Sequence, residues 1–282
     1  MLKSLIKNVK IVFNIIFKIL SQNTIILFAM FNCIMFDNNN HNSIINYLIY
    51  FMLTSGWKLL TIFFINKKTE KIDNKQNKIN YFEHKNNIIM HSCIDVASFM
   101  YINNFLLTHK NYNCVDTIFS LVKFYPIFFI YEIIFDCFFY SLHYLMHYNK
   151  FLYKNIHKIH HEPNKIKSII TFTAHPLEHV LTIELPTIFI LSIFSNYYTL
   201  SLFEYMLIFY YRTIIELVGH SGNYETEFKH SRYSHTYLYS KINKILNIEL
   251  TPRDHYLHHK IPNTNYSKRN SLFDKVFGTY KK

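Results

Sequence analysis

The 282-residue sequence is poor in glycine, in charge and in closely spaced cysteines. With only 4 Gly it cannot form a collagen-like helix. Charged residues make up 17% of the chain, less than the roughly one quarter that is typical of soluble domains. The 4 cysteines form no Cys-x-x-Cys pair, so the sequence indicates neither a disulfide framework nor a thiolate zinc site.

Aromatic and aliphatic residues are abundant instead. The chain has 27 Phe and 23 Tyr, and 50% of its residues are hydrophobic. This is more apolar surface than one water-soluble core of this size needs, so a membrane protein is predicted. The net charge of +12 then favours cytoplasmic loops or an anionic membrane face, and we expect no nucleic-acid partner.

The apolar runs predict an all-α, multi-span transmembrane protein with a histidine-rich helical cap on the cytoplasmic side. Five runs approach the ~20 residues that cross a bilayer. These predicted spans are 44–65, 88–108, 115–140, 180–194 and 200–217. Several contain ionisable residues, which in a membrane mark a protein-lined interior: Lys58, Asp95, Lys123, Glu132, Asp136, Glu184, Arg212 and Glu216.

Three regions follow from this pattern. Residues 1–36 form a basic amphipathic segment that lies on the membrane or anchors in it, and residues 37–114 form an N-terminal transmembrane region. Within the second region, the Lys-rich stretch 66–87 is assigned to the cytoplasm by the positive-inside rule. Two predicted spans follow this stretch before residue 143, and two more lie between residues 180 and 217. Residues 143–179 and 218–282 are therefore predicted to return to the cytoplasmic side and to form one cap there. The third region, 115–282, contains this cap.

Histidine is the residue type that most needs an explanation. Of the 17 His, 13 lie between His143 and His259, in short motifs that repeat on a helical spacing. The motifs are HYLMH (143–147), HKIHH (157–161), HPLEH (175–179), GHSG (219–222) and HYLHH (255–259). Residues at i, i+3 and i+4 share one helix face, so each motif directs imidazoles at one volume. Nine or ten imidazoles exceed the three or four protein ligands of one zinc ion, so two metal ions are predicted.

The ordered motifs HxxxH, HxxHH and HxxHH resemble those of the fatty acid hydroxylase and sterol desaturase superfamily of membrane di-iron enzymes. HPLE, HSG and the ending NYSKRNSLFDKVFGTY bring the chain closest to the sterol methyl oxidase-like branch. The resemblance covers about residues 125–280 and therefore makes 115–282 the catalytic region.

The resemblance implies two iron ions, dioxygen, and a sterol or fatty acyl lipid that is hydroxylated or desaturated. Electrons would come from a separate cytochrome or reductase, and the protein would lie in the endoplasmic reticulum with its histidine motifs facing the cytoplasm. The implied ligands are His143, His147, His157, His160, His161, His175, His220, His255, His258 and His259. Carboxylates that could orient these imidazoles from behind are Glu178, Glu216 and Asp136.

Two other interpretations remain open from the sequence. HPLEH matches the H-x-x-E-H motif, in which His175 and His179 would hold zinc and Glu178 would act as the base of a membrane hydrolase. Alternatively, the metal stabilises a membrane protein that has no catalytic activity.

Overall fold

A computed structural model of the chain describes residue 26 and residues 29–33, 44–70, 84–107, 114–162, 167–221 and 237–282. The predicted amphipathic segment 1–36 and the Lys-rich stretch 66–87 lie largely outside these residues. In the described part of the chain every regular element is helical, which confirms the predicted all-α class.

Eleven α-helices make up this part of the chain. Their bounds are α1 Ile44–Glu70, α2 Lys85–Phe105, α3 Cys114–Tyr148, α4 Lys150–Leu152, α5 Lys158–His161, α6 Pro176–His179, α7 Leu185–Phe194, α8 Leu202–Gly219, α9 Tyr237–Ile245, α10 Pro252–Lys260 and α11 Leu272–Val276. A 3₁₀-helix covers Ser168–Thr173, and π-helical turns at Tyr153–His157 and Val180–Glu184 join α4 to α5 and α6 to α7.

Two stretches among the described helices are long and apolar enough to cross a membrane, Ile44–Ile65 and Pro176–Phe194. The first coincides with a predicted span, and the second contains another. The remaining predicted spans are also helical, but α8 is buried along most of its length.

Helix α8 forms the centre of the bundle. A capping box starts it, in which the Ser201 hydroxyl accepts a hydrogen bond from the Glu204 amide while the Glu204 carboxylate accepts one from the Ser201 amide. Its aromatic residues then pack against three different helices. Tyr205 stacks on Phe99 of α2, Tyr210 meets Trp57 of α1 edge to face, and Tyr211 meets Phe128 of α3 in the same way. The apolar run of α8 is therefore covered by protein.

Five ionisable side chains form a buried group between these helices, which we call the Asp95 cluster: Lys58, Asp95, His179, Glu184 and Arg212. Arg212 Nη2 lies 3.1 Å from Asp95 Oδ1 and 2.8 Å from Glu184 Oε1. Lys58 Nζ pairs with the other oxygen of Asp95. His179 Nε2 lies 3.3 Å from Asp95 and 3.4 Å from Glu184. Lys58, Asp95, Glu184 and Arg212 therefore face a protein interior, whereas the predicted interior residue Lys123 of α3 is exposed.

The loop after α10 is held against α3 by one carboxylate. Asp136 accepts hydrogen bonds from the backbone N–H groups of Lys268, Arg269 and Asn270, at 2.7, 2.9 and 3.0 Å. These bonds satisfy a buried carboxylate and three buried amides at once. The loop is therefore fixed beside the end of α3 that carries His143.

Candidate metal centre

Nine imidazoles lie in two groups whose ring nitrogens converge. Cluster A contains His143, His147, His157, His161 and His258. Cluster B contains His160, His220, His255 and His259. In each cluster, one ring nitrogen per histidine lies within 4.8 Å of those of all the other members.

Each HxxHH motif contributes to both clusters. In HKIHH the i,i+4 pair His157 and His161 belongs to cluster A, and the intervening His160 belongs to cluster B. In HYLHH the assignment is reversed, because the pair His255 and His259 belongs to cluster B and His258 to cluster A. The two motifs therefore lie face to face. Helix α3 adds His143 and His147 to cluster A, and the residue that ends α8, His220, joins cluster B.

The Nε2 atoms of cluster A converge around His157. Its Nε2 lies 2.9 Å from those of His147 and His161 and 3.1 Å from that of His143. His258 completes the group with its ring 4.5 Å from that of His143, centroid to centroid.

Cluster B has the same spacing. His220 Nε2 lies 3.1 Å from His160 Nε2 and 2.9 Å from His255 Nε2. His255 Nε2 is in turn 3.2 Å from His259 Nε2. The two clusters are adjacent, because the rings of His161 and His259 are 4.6 Å apart.

Hydrogen bonds on the other ring nitrogen fix the orientation of three imidazoles. His143 Nδ1 donates to the Tyr266 carbonyl at 2.7 Å, His258 Nδ1 to the Thr264 carbonyl at 2.7 Å and His220 Nδ1 to the Glu216 carbonyl at 2.8 Å. A proton on Nδ1 leaves the lone pair on Nε2 of a neutral ring, and that lone pair points into the cluster.

Burial keeps these rings neutral. It lowers the pKa of His147 to about 3 and that of His161 to about 2, with a smaller contribution from the neighbouring His157. Burial likewise holds the pKa well below the usual value in six further histidines of the clusters: His143, His160, His220, His255, His258 and His259. Neutral imidazole is the form that binds metal.

The donor set fits metal cations. Lone pairs that face one another at 2.9–3.2 Å repel unless a cation or a shared proton lies between them. Bonds of about 2.1 Å from one cation to two imidazoles at right angles would separate the nitrogens by about 3.0 Å. Each cluster therefore has the spacing expected of ligands around one ion.

The three predicted carboxylates occupy different positions. Glu178 Oε1 lies 3.0 Å from His157 Nδ1, behind a cluster A imidazole. Glu216 holds His220 through its backbone carbonyl, while its carboxylate lies 3.5 Å from Arg269 Nη2. Asp136 binds the loop amides described above. Only Glu178 of these three places its carboxylate next to a clustered imidazole.

His175 and His179 lie apart from both clusters. His175 Nδ1 accepts a hydrogen bond from the Leu177 amide and so caps α6, while His179 belongs to the Asp95 cluster. The structure therefore does not bring the predicted ligand His175 together with the other nine.

The C-terminal loop contains residues to which the sequence assigned no individual role. The carbonyls of Thr264 and Tyr266 orient two imidazoles, Arg269 Nε lies 3.2 Å from Glu132 Oε2, and Lys268 enters the wall of a cavity. The only signal for them was the ending NYSKRNSLFDKVFGTY, which carried the resemblance as a string.

A cavity of about 40 Å³ adjoins the centre. His143 of cluster A lines it together with three residues of cluster B, His160, His220 and His255. Glu178, Glu216 and Lys268 add charged groups, and Phe139 and Ile183 add apolar surface. Since one water needs roughly 10–15 Å³ by the same measure, this space accommodates a molecule of a few atoms.

The family model described as fatty acid hydroxylase matches residues 128–279. The chain belongs to the fatty acid hydroxylase family. The matched stretch contains all nine clustered histidines, and comparison with curated proteins and with solved structures gives no match. Membership confirms the predicted superfamily, while the sterol methyl oxidase-like branch stays a prediction. Together with the two apolar helices, the family indicates a membrane-associated lipid hydroxylase or desaturase, an oxidoreductase whose histidine clusters could bind metal.

Proposed function

We propose that the protein is a membrane-bound di-iron oxygenase that hydroxylates or desaturates an unactivated C–H bond of a sterol or fatty acyl lipid. The observation that supports this most strongly is the division of nine convergent imidazoles into groups of five and four. Such a division provides two separate ion sites and uses every clustered histidine.

The spacing within the clusters favours a six-coordinate metal. At the tetrahedral angle that zinc prefers, bonds of about 2.1 Å would separate the nitrogens by about 3.4 Å. The observed contacts of 2.9–3.2 Å are closer to the right-angle value. Imidazole ligands suit iron, and iron is a usual metal for oxygenation.

Two iron ions, when bound, would supply the activation of dioxygen that oxidation of an unactivated C–H bond requires. The protein's own residues determine where this happens. The carbonyls of Tyr266, Thr264 and Glu216 hold three imidazoles in place, and the Glu178 carboxylate lies 3.0 Å from His157 Nδ1. Burial excludes bulk water, and Phe139 and Ile183 offer an apolar wall to a lipid chain.

Partners and topology complete the proposal. Electrons come from a separate cytochrome or reductase, and the clusters face the cytoplasm from the endoplasmic reticulum membrane. The Lys-rich stretch 66–87 supports this orientation, because the positive-inside rule assigns it to the cytoplasm. Two predicted crossings separate it from the end of α3, so that end returns to the cytoplasmic side. Region 1–36 anchors or lies on the membrane, 37–114 crosses it, and 115–282 is catalytic.

The geometry does not favour a zinc hydrolase built on HPLEH. The three side chains of that motif have three different partners, because His175 caps a helix, Glu178 faces His157 and His179 binds Asp95 and Glu184. A non-catalytic, metal-stabilised protein would not need the open cavity beside cluster B.

The proposal is tested by metal analysis and lipid profiling together. The full chain, purified without oxygen, should contain two irons, and cells that produce it should accumulate one oxidised or desaturated lipid that is absent without it. His160→Ala should abolish this product, whereas His84→Ala, outside both clusters, should not. One tightly held zinc per chain, or a product that persists in the His160→Ala variant, would contradict the proposal.

A further inference from the structure

Lys268 is a buried ammonium group that lacks a partner among the described residues. Its side chain is 8% exposed, and its Nζ forms no hydrogen bond or ion pair with any residue that the structure describes. The Nζ atom lies over the ring of Phe139, 5.7 Å from the centroid. Burial lowers the pKa of Lys268 to about 8, although the carboxylates of Glu216 and Glu178 favour its charged form from a distance. An ammonium with no direct partner is costly to bury, so this arrangement requires an explanation.

The ammonium faces cluster B. Lys268 lines the cavity together with His160, His220 and His255. Its positive charge contributes to lowering the pKa of His220, of His255 and of His259, all of them cluster B residues. Lys268 therefore lies on the cluster B side of the cavity.

The carboxylates in the same cavity are engaged elsewhere. Glu178 faces His157, and Glu216 faces Arg269. Both carboxylates favour the charged form of Lys268, but neither forms a direct ion pair with its Nζ.

We propose that Lys268 binds a carboxylate-sized anion in this cavity, beside cluster B. The proposal rests on the proposed function insofar as the clusters hold cations. A cavity of about 40 Å³ accommodates the three heavy atoms of a carboxylate or of azide. The anion is either the acid group of the lipid substrate or a small free anion. In the first case the carbons next to the carboxyl group are those held closest to cluster B, with the chain along Phe139 and Ile183.

The test is a binding titration that needs no turnover. The full chain in detergent micelles, loaded with cobalt(II), is titrated with sodium azide, decanoate and decanol while the visible cobalt spectrum is recorded. Lys268→Met should weaken anion binding by at least about tenfold, since a hydrogen bond to a charged group is lost. Lys268→Arg should retain most of it, and Lys154→Met, which removes an exposed lysine, should leave it unchanged.

The three ligands distinguish the source of the anion. If decanoate binds more tightly than both azide and decanol, and loses this advantage in Lys268→Met, the site binds the lipid's acid group. If the affinity for azide depends on Lys268 while decanoate binds no better than decanol, the site binds a small free anion. Anions that bind Lys268→Met as tightly as the wild type overturn the proposal.

Two checks keep this outcome separate from the proposed function. Cobalt content and thermal unfolding are measured for each variant, and Lys268→Gln replaces Lys268→Met if the latter does not fold. A chain that holds no cobalt would contradict the proposed function. Calorimetric titration of the metal-free chain with azide then still tests Lys268, and absence of binding to the wild type would overturn the anion site.

Discussion

The molecule has two buried polar centres that are constructed in opposite ways. In the Asp95 cluster, Lys58 and Arg212 lie against Asp95 and Glu184, so its charges are paired within the chain. In clusters A and B, nine imidazoles direct ring nitrogens at one another. The first centre is complete as folded, whereas the second, on the proposed function, is completed by metal ions.

This difference separates folding from function. Removing one member of the Asp95 cluster leaves an unpaired charge in the protein interior, so stability should suffer. Removing one clustered imidazole leaves the other neutral side chains in place, so metal content and activity should suffer first. The following experiments test this separation, beginning with the largest expected effect.

His258→Ala and His255→Ala should each reduce lipid oxidation by more than about a hundredfold, because loss of even an outer partner costs 10–100-fold. Each variant should also retain fewer than two metal ions, the first through cluster A and the second through cluster B. Product analysis, metal analysis and thermal unfolding measure these effects. Two ions and full activity in both variants would refute the ligand assignment.

Asp95→Asn should lower the free energy of unfolding by about 3–5 kcal/mol, since it leaves Lys58 and Arg212 with one fewer buried carboxylate. Glu162→Gln is the matched control. Glu162 is exposed and lies 4.0 Å from Lys158, so its loss should cost less than about 1 kcal/mol. Equal effects of the two substitutions in denaturant titrations would remove the distinction between the centres.

Acidification should destabilise the metal-free chain. The pKa of His147 is about 3 in the folded state, against an ordinary value of 6.5, so below pH 6.5 the unfolded chain binds a proton that the folded chain does not. Stability is therefore complete above pH 6.5 and falls as the pH decreases, by about 2 kcal/mol at pH 5 for this one residue. Unfolding temperatures measured from pH 7.5 to 5 test this. Metal should suppress the dependence, and a metal-free chain that is equally stable at both ends would contradict the pKa shift.

Glu178→Gln should produce the smallest change. It weakens the contact to His157 Nδ1 without removing a ligand, so metal affinity should decrease by about 10–100-fold, mainly in cluster A. Competition with a chelator measures both sites. Equal weakening of cluster B would show that Glu178 acts through general electrostatics and does not orient His157.

Much of the centre could be predicted from local sequence. The spacing of HYLMH, HKIHH and HYLHH brings imidazoles to shared helix faces, and the number of histidines implied two ions. Which histidine belongs to which cluster could not be predicted. His160 meets His220, and His143 meets His258, across long stretches of chain, and only tertiary packing establishes those contacts.

The roles of the charged residues were harder to assign. Lys58, Asp95, Glu184 and Arg212 could be recognised as interior residues, because each interrupts an apolar run, but their mutual pairing joins separate helices. Lys268 carried no signal of its own beyond the C-terminal string that contains it. It follows Tyr266 in a polar loop, and its burial depends on three loop amides that bind Asp136.

The placement of HYLHH affects how the protein is made. Cluster A lacks His258, and cluster B lacks His255 and His259, until the ribosome has synthesised those late residues. During translation, α3 and HKIHH emerge first and hold only part of either cluster. On the proposed function, tight metal uptake would therefore be postponed until the chain has closed onto α3, and a nascent chain arrested before residue 255 would have incomplete sites.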